Sequence, residues 1–330
     1  MSATELISSL EEDNISLLDR SHFLLDFTAD ELRKLQNALI LSSSLESIEL
    51  ENIEISESLW KLLGESLPFN NSVKSFKLSN TVMLENDIEA LEKIIFFNTS
   101  IERLTISNHK NGNNIVAKIG EAIASNTRLQ RLTLTNNNLK NSGIAAVSQI
   151  ILDNKTIVDI NLSHQKLSIN SLKDISNALP QNSTLISLNL DNIRLELPAL
   201  EQLAEGLVEN KGLTTLTLTH NNLCRQTIAP LISLLKKAHV IQNINLNNNE
   251  LDHYFAVEFA KIFELNPQLN SLDLSNNNLG DLGLTMIARY IGQLESVSKL
   301  NLANNDATEL GLYLVNDALK SSGKPDDFQI

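Results

Sequence analysis

A sequence pattern that repeats every 28 residues constrains this chain of 330 residues more than any other feature. Leucine occupies positions 269, 272, 274 and 279 and asparagine occupies position 277, which gives the spacing L-x-x-L-x-L-x-x-N-x-L. Ten repeats follow this frame without insertion or deletion, and they begin at residues 45, 73, 101, 129, 157, 185, 213, 241, 269 and 297. A segment this short cannot bury its own apolar side chains, so the pattern predicts repeats that stack on their neighbours.

Each repeat is expected to begin with a short strand. In the fourth repeat, Leu132 and Leu134 are two residues apart and share one face of the strand, whereas Arg131, Thr133 and Thr135 share the other. Asparagine occupies the ninth place of several repeats. We expect its side-chain amide to bond the backbone where the chain leaves the strand.

The second half of each repeat is expected to be a helix. Ile144, Val147 and Ile151 are spaced by three and four residues, so they form one apolar stripe on a helix. Three aromatic residues fall on the same stripe in other repeats and are expected in the core: Trp60, Phe259 and Phe263. Asparagine at the twenty-sixth place is expected to close the helix in the left-handed conformation. The third repeat lacks the turn leucine, and its turn is expected to be looser than the others.

Stacked strand–helix repeats are expected to curve, because strands lie about 4.8 Å apart in a sheet whereas packed helices need about 8–10 Å. The strands would then form a concave parallel β-sheet, and the helices would form the convex surface. The period and the helix in every repeat resemble the ribonuclease-inhibitor-like class of leucine-rich repeats over residues 45–319. The resemblance implies an α/β fold, a horseshoe-shaped leucine-rich-repeat solenoid that binds other proteins. The cysteine that many mammalian members carry at the ninth place is absent, and the early repeats are degenerate.

The segments before and after the ten repeats are expected to cover the ends of the stack. Residues 1–44 fit the frame poorly, and Thr28 followed by Leu32, Leu35 and Leu39 predicts a capped helix within an N-terminal helical cap. This segment carries eight acidic and three basic residues, so an acidic docking arm is the alternative. Residues 320–330 leave the pattern and are expected to form a C-terminal cap, or else a free tail that acts as a secretion signal.

The composition narrows the range of partners. A formal net charge of −14 disfavours duplex nucleic acid and anionic membrane surfaces, because both attract basic proteins. We find neither a run of about 20 apolar residues nor a signal peptide. The single cysteine, Cys224, fits a reducing compartment, so the expected location is cytoplasmic. The expected partner is another protein, and the chain itself is expected to be a monomer.

The candidate partner-binding residues are the strand side chains on the concave face. They combine charged residues of the early repeats with small polar residues at the fifth place of the later ones: Glu49, Lys74, Lys77, Arg103, Arg131, Asn161, Asn189, Thr217, Asn245 and Asp273. The charges could instead pair with each other across strands. No aromatic residue occupies an exposed strand place, although binding hot spots favour tryptophan and tyrosine. The partner is therefore held by many hydrogen bonds, or it binds the loops or the convex face.

No arrangement of residues predicts catalysis, a cofactor or a metal ion. His164 and His220 share the eighth place of the fifth and seventh repeats, so about 10 Å separates their backbones, which is too far for an easy shared metal. Cys224 has no partner that the sequence identifies, and phosphate-binding and nucleophile-elbow motifs are absent. The chain is therefore predicted not to be an enzyme.

The first functional hypothesis is a non-enzymatic scaffold for protein–protein interaction. The asparagine-, isoleucine- and lysine-rich sequence is similar to leucine-rich-repeat effectors that intracellular bacteria inject into host cells. That resemblance would place the chain, once secreted, in the host cell. The alternative is a regulator of a small GTPase, because Ran GTPase-activating proteins look similar in repeat type. Lys74, Lys77, Arg103 and Arg131 would then meet an acidic partner.

Overall fold

The computed structural model describes residues 1–260, 268–291, 296–321 and 329, and the chain divides into an N-terminal body, residues 1–161, and a C-terminal body, residues 162–330. The strands of the N-terminal body are β1 Leu17–Leu18, β2 Ser47–Glu51, β3 Ser75–Ser79, β4 Arg103–Ser107, β5 Arg131–Thr133 and β6 Asp159–Asn161. Its helices are α1 Ala3–Glu11, α2 Arg20–Phe23, α3 Ala29–Leu41, α4 Glu57–Ser66, α5 Glu85–Phe97, α6 Gly112–Ser125 and α7 Asn141–Asp153, with a 3₁₀ turn at Leu67–Phe69.

The described residues of the C-terminal body continue the alternation of strand and helix. Its strands are β7 Ser187–Asn189, β8 Thr215–Thr217, β9 Asn243–Asn245, β10 Ser271–Asp273 and β11 Lys299–Asn301. Its helices are α8 Ile169–Ala178, α9 Leu197–Glu209, α10 Ile228–Lys237, α11 His253–Ala260, α12 Gly280–Ile291 and α13 Glu309–Ser321, with a 3₁₀ turn at Leu179–Gln181.

Neighbouring strands within each body pair in parallel and follow the order of the chain. In the N-terminal body, Ser75 of β3 lies between Ser47 of β2 and Arg103 of β4. In the C-terminal body, Ser271 of β10 likewise lies between Asn243 of β9 and Lys299 of β11. Partners in these ladders are 28 residues apart, so the sequence period is also the register of the sheet. Equivalent places of successive repeats therefore form straight rows.

The predicted core is confirmed on both its strand and helix sides. Leu132 and Leu134 are buried, whereas Arg131 is exposed and Thr133 is half-buried. The helix stripe is buried in the fourth repeat at Ile144, Val147 and Ile151 and in the ninth repeat at Leu284, Ile287 and Ile291. Trp60 and Phe259 are buried as expected, while Phe263 lies outside the described residues.

Among the described residues, the asparagines that follow a helix at the twenty-sixth place do not adopt the predicted left-handed conformation. Asn98, for example, has φ −72° and ψ 133°, which is extended backbone. Its side-chain amide donates to the carbonyl oxygens of Leu67 and Asn70 in the preceding repeat, at 2.6 and 3.0 Å. Its side-chain oxygen accepts from the backbone N–H groups of Ser100 and Ile101, at 2.8 and 2.7 Å. This asparagine therefore joins two repeats, and the same bonding recurs at Asn126, Asn154 and Asn210.

The predicted role of the ninth-place asparagine is confirmed. The Asn137 amide donates to the Ile106 carbonyl at 2.7 Å, and its oxygen accepts from the His109 N–H at 3.1 Å. His109 fills the ninth place of the third repeat, and neither of its ring nitrogens has a hydrogen-bond partner. Burial lowers the pKa of the His109 imidazole, against smaller opposing effects of the Leu78 and Thr81 backbone.

Left-handed backbone occurs at the eighth place of every repeat. The φ values lie between 49° and 61°, and eight of the ten residues are asparagine. The other two are His164 and His220, at 59° and 52°. Asparagine and, less often, histidine tolerate this region better than most side chains. This turn explains why the chain is rich in asparagine at a place where no interior contact requires it.

The turn of the third repeat is tight, so the prediction of a looser turn is wrong. The Gly112 N–H donates to the His109 carbonyl at 3.2 Å, and α6 begins immediately at Gly112. A Cβ on Gly112 would lie 2.5 Å from the Cβ of Asn137, which is closer than two carbon atoms approach. Glycine therefore lets the helix start at this place against Asn137.

The two terminal segments contact the adjoining repeats. The predicted capped helix is α3, in which Thr28 caps the N-terminus and Leu35 and Leu39 are buried. Strand β1 pairs with β2. At the other end, the Gln329 N–H donates to the Leu300 carbonyl at 3.0 Å. These contacts support the two cap interpretations. The domain boundaries stay predictions, and Phe328 and Ile330 lie outside the described residues.

Candidate partner-binding face of the sheet

The candidate binding face, called the sheet face below, consists of the strand side chains at the third, fifth and seventh places of the repeats. Side chains at the fourth and sixth places are buried, which leaves these alternate places on the opposite side of the strand. In the N-terminal body, the third-place row runs from Ser75 through Arg103 and Arg131 to Asp159. The fifth-place row runs from Glu49 through Lys77 and Thr105 to Thr133.

The charges at the start of the sheet face pair with one another. The Lys77 ammonium contacts the Glu51 carboxylate and lies 3.8 Å from that of Glu49. The hydrogen bond that the Lys77 ammonium donates to Glu51 is the largest cause that raises the pKa of Lys77. Lys74, at the second place, is half-buried. Cross-strand pairing therefore accounts for Glu49 and Lys77, and neither is a free charge on this face.

Arg103 and Arg131 are two positively charged candidate residues that lie directly opposite each other on neighbouring strands. They are direct partners in the register of β4 and β5, and both are exposed. The nearby Glu102 carboxylate lies 3.6 Å from the guanidinium of a different residue, Arg128. Like charges directly opposite each other destabilise a sheet. On its other side Arg131 faces Asp159, so one of the two arginines has an acidic neighbour within the sheet, whereas the other neighbour of Arg103 is Ser75. A carboxylate from a partner could bridge the two guanidinium groups.

The fifth-place polar residues of the C-terminal body fold back onto their own backbone. The side-chain oxygens of Asn189, Asn245 and Asp273 each accept from the backbone N–H two residues later, at 2.8 to 2.9 Å. Strands β7, β9 and β10 end at these residues. Thr217 and, in the N-terminal body, Asn161 are half-buried. These side chains are therefore fixed in orientation, a structural role that sequence reasoning missed.

Sequence reasoning also missed Asp191, which lies between the two histidines of the eighth-place row. The His220 Nδ1 atom is 3.2 Å from one Asp191 oxygen, and His164 Nε2 is 4.0 Å from the other. The second His164 nitrogen lies 2.9 Å from the Asn192 amide. Among the described residues, no group of three or more histidine, cysteine, aspartate or glutamate side chains is arranged to bind a metal ion. Asp191 of the sixth repeat therefore lies between the histidine turns of the fifth and seventh repeats.

Two solved structures resemble the chain over most of its length. An internalin from Listeria monocytogenes has a TM-score of 0.51 at 17% sequence identity, and the match covers 100% of this chain and 93% of the internalin. A structure of the Rad7 and Elc1 complex in yeast has a TM-score of 0.55 at 16% identity, covering 93% of this chain and 75% of that chain. At these identities the likeness shows the fold, which is an α/β leucine-rich-repeat solenoid with a parallel sheet.

No protein-family model and no curated protein matches the chain. None of the helices in the described ranges combines the length and apolar character needed to cross a membrane.

Proposed function

We propose that this protein is a non-enzymatic scaffold that binds another protein through the sheet face, with Arg103 and Arg131 as the central contact. The observation that carries the proposal is the register of these two arginines, which places two exposed arginine residues directly opposite each other on neighbouring strands. Arginine is enriched at binding hot spots, and it pairs with carboxylates through two parallel hydrogen bonds. The partner surface is therefore acidic at this point.

In the C-terminal body, Asn189, Asn245 and Asp273 of the sheet face are already fixed by hydrogen bonds to their own backbone, so a partner that binds there orders few of these side chains further. A preorganised surface loses less entropy on association. The leucine-rich-repeat fold shared with the two solved structures supports this scaffold role.

Quantitative affinity capture from a host-cell lysate tests the proposal. We would compare the wild-type chain with Arg103→Glu/Arg131→Glu, and with Lys173→Glu/Arg289→Glu as a control. The control changes the charge equally at two exposed helix residues. Proteins captured by wild type and by the control, but not by the sheet-face variant, are the expected result. Identical capture by all three chains would contradict the proposal.

The finer assignment that we propose is a bacterial effector of the ribonuclease-inhibitor-like class, which acts in the host cytoplasm after secretion. The 28-residue period and the resemblance to injected leucine-rich-repeat proteins support it. A cyclase reporter fused to the N-terminus would report entry into host cells. Deletion of residues 320–330 would abolish the signal if the tail directs secretion. A reporter that stays in the bacterium would contradict this assignment.

The alternative that we propose is regulation of a small GTPase, which the exposed Arg103–Arg131 pair favours because an added arginine stabilises transition-state charge in such reactions. GTP hydrolysis measured with a panel of purified small GTPases tests it. Acceleration that is lost in Arg103→Ala or Arg131→Ala would replace the scaffold-only proposal, and the absence of acceleration would remove this alternative.

A further inference from the structure

Three large apolar side chains form an exposed row at the ends of consecutive helices in the N-terminal body. Leu41, Phe69 and Phe97 are 28 residues apart and keep 78%, 66% and 59% of their surface exposed. We call them the helix-end stripe. Phe96 lies beside Phe97, with 4.9 Å between ring centroids and an edge-to-face angle of 78°. The same place in the third to seventh repeats carries an exposed polar residue: Ser125, Asp153, Gln181, Glu209 and Lys237. The stripe is therefore a local patch and not a general property of the repeat.

The backbone that carries the stripe is fixed by hydrogen bonds. Phe69 precedes Asn70, whose amide donates to the Leu39 carbonyl at 2.7 Å. Phe97 precedes Asn98, which bonds the preceding repeat in the same way. Binding here requires little ordering of the backbone. Rigid, exposed aromatic side chains are typical anchors of protein interfaces.

A hollow of about 750 Å³ lies beside Phe69 and Phe97, and Pro68 and Gly64 contribute to its lining. Its rim carries Glu65 and Lys93, which occupy the same place in two adjacent repeats, four residues before each phenylalanine. Both residues are exposed. The stripe is therefore flanked on one repeat by Glu65, which accepts from the Gln36 amide at 3.3 Å and lies 4.0 Å from the Lys61 ammonium, and on the next repeat by Lys93.

We propose that a second copy of this chain binds the helix-end stripe across a two-fold axis that passes between Phe69 and Phe97. A two-fold interface requires that residue i contacts residue j while j contacts i. This axis places Phe69 against Phe97 of the second copy, and Glu65 against Lys93 of the second copy. Because Glu65 and Lys93 carry opposite charges on adjacent repeats, the patch of one copy is complementary in charge to the same patch of the second copy.

The size of the patch fits a dimer of modest affinity. Large aromatic side chains bury roughly 150–250 Å² each, and a standard interface buries about 800 Å² per partner. Phe69, Phe97 and Phe96 are 66%, 59% and 53% exposed, so they supply roughly a third to a half of that area, and the polar rim of the hollow adds to it. The dimer replaces the monomer expected from the sequence. It uses the helix ends and leaves the sheet face free, so the two proposals are independent.

Sedimentation equilibrium of the full chain, from about 1 to 200 μM, tests the dimer in the range expected for a small interface. Phe69→Asp/Phe97→Asp should raise the dissociation constant of the dimer at least about tenfold, because two side chains that the dimer buries become charged. Leu282→Asp/Leu310→Asp, which changes two other exposed apolar residues, should leave the dissociation constant unchanged.

A charge exchange provides a second test that leaves the stripe intact. Glu65→Lys alone should weaken the dimer, because it places lysine against Lys93 of the second copy. The double variant Glu65→Lys/Lys93→Glu should restore it, because opposite charges face each other again. A wild-type chain that stays monomeric throughout would overturn the proposal and leave the stripe to a different protein. A dimer that is insensitive to the phenylalanine variant, or that the double exchange fails to restore, would overturn it as well.

Discussion

The asparagine that joins successive repeats gives the sharpest stability prediction. Asn98 is buried, and its side chain makes two donor and two acceptor bonds to the backbone, all between 2.6 and 3.0 Å. Alanine would leave two carbonyl oxygens and two N–H groups without these partners. Each such bond contributes about 1 kcal/mol net, so Asn98→Ala should lower the free energy of unfolding by about 3–4 kcal/mol.

Urea unfolding measured by tryptophan fluorescence provides the assay, since Trp60 is the single tryptophan and is buried in the N-terminal body. Asn71→Ala is the matched control, because Asn71 is exposed in the adjoining connection. It should change the free energy of unfolding by no more than about 0.5 kcal/mol. Equal losses of unfolding free energy in Asn98→Ala and Asn71→Ala would refute the claim that the Asn98 hydrogen bonds hold the repeats together.

Three further predictions test the strand faces, the buried histidine and the turns. Leu216→Ala removes a buried side chain and should lower the free energy of unfolding by about 2–5 kcal/mol. Thr217→Ala should change it by about 0.5 kcal/mol or less in the same urea assay. Equal effects would mean that the two faces of the strand are assigned in reverse. Burial lowers the pKa of the His109 imidazole, so the neutral ring stabilises the fold above the unfolded pKa near 6.5, and this stabilisation is lost as the pH falls through the folded pKa. His109→Asn should therefore flatten the dependence of the unfolding free energy on pH between about 7 and 5. A pH dependence equal to that of the wild-type chain would argue against a buried, neutral His109. Asn136 has φ 53°, so Asn136→Val should cost at least about 1 kcal/mol more than Asn136→Gly in thermal unfolding, and equal costs would argue against a fixed left-handed turn.

The repeat frame and the core could be predicted from sequence because their physical causes are periodic. The pairing of Ser75 with Ser47 and Arg103 follows directly from the 28-residue interval. Burial of Trp60 and Phe259 follows from their place on the helix stripe. These features depend only on which side chains recur at each place of the repeat, and that pattern can be read directly from the sequence.

The hydrogen-bond roles of individual asparagines could not be predicted in the same way. Asparagine suits left-handed turns, side-chain bonds between repeats and strand ends, and the sequence alone does not separate these uses. The left-handed residues proved to be at the eighth place, as at Asn136, and not at Asn98, whose side chain instead bonds the repeat before it. Residue type fixed the capacity of each side chain, but tertiary contacts decided which partner it found.

The candidate site was predicted only in outline. The sequence placed Arg103 and Arg131 on the strand face, but their direct opposition depends on the sheet register. The strand pattern could not reveal Phe69 and Phe97, because both lie at helix ends. Their 28-residue separation and their position just before the helix-ending asparagine were the available signal.

Calorimetric titration of a purified partner with the sheet-face variant tests the central claim most directly. If this fold binds a protein through the paired arginines, Arg103→Glu/Arg131→Glu should raise the dissociation constant by about 100-fold, whereas Lys173→Glu/Arg289→Glu should change it by less than about threefold. Equal dissociation constants for the two variants and the wild-type chain would show that the partner binds elsewhere.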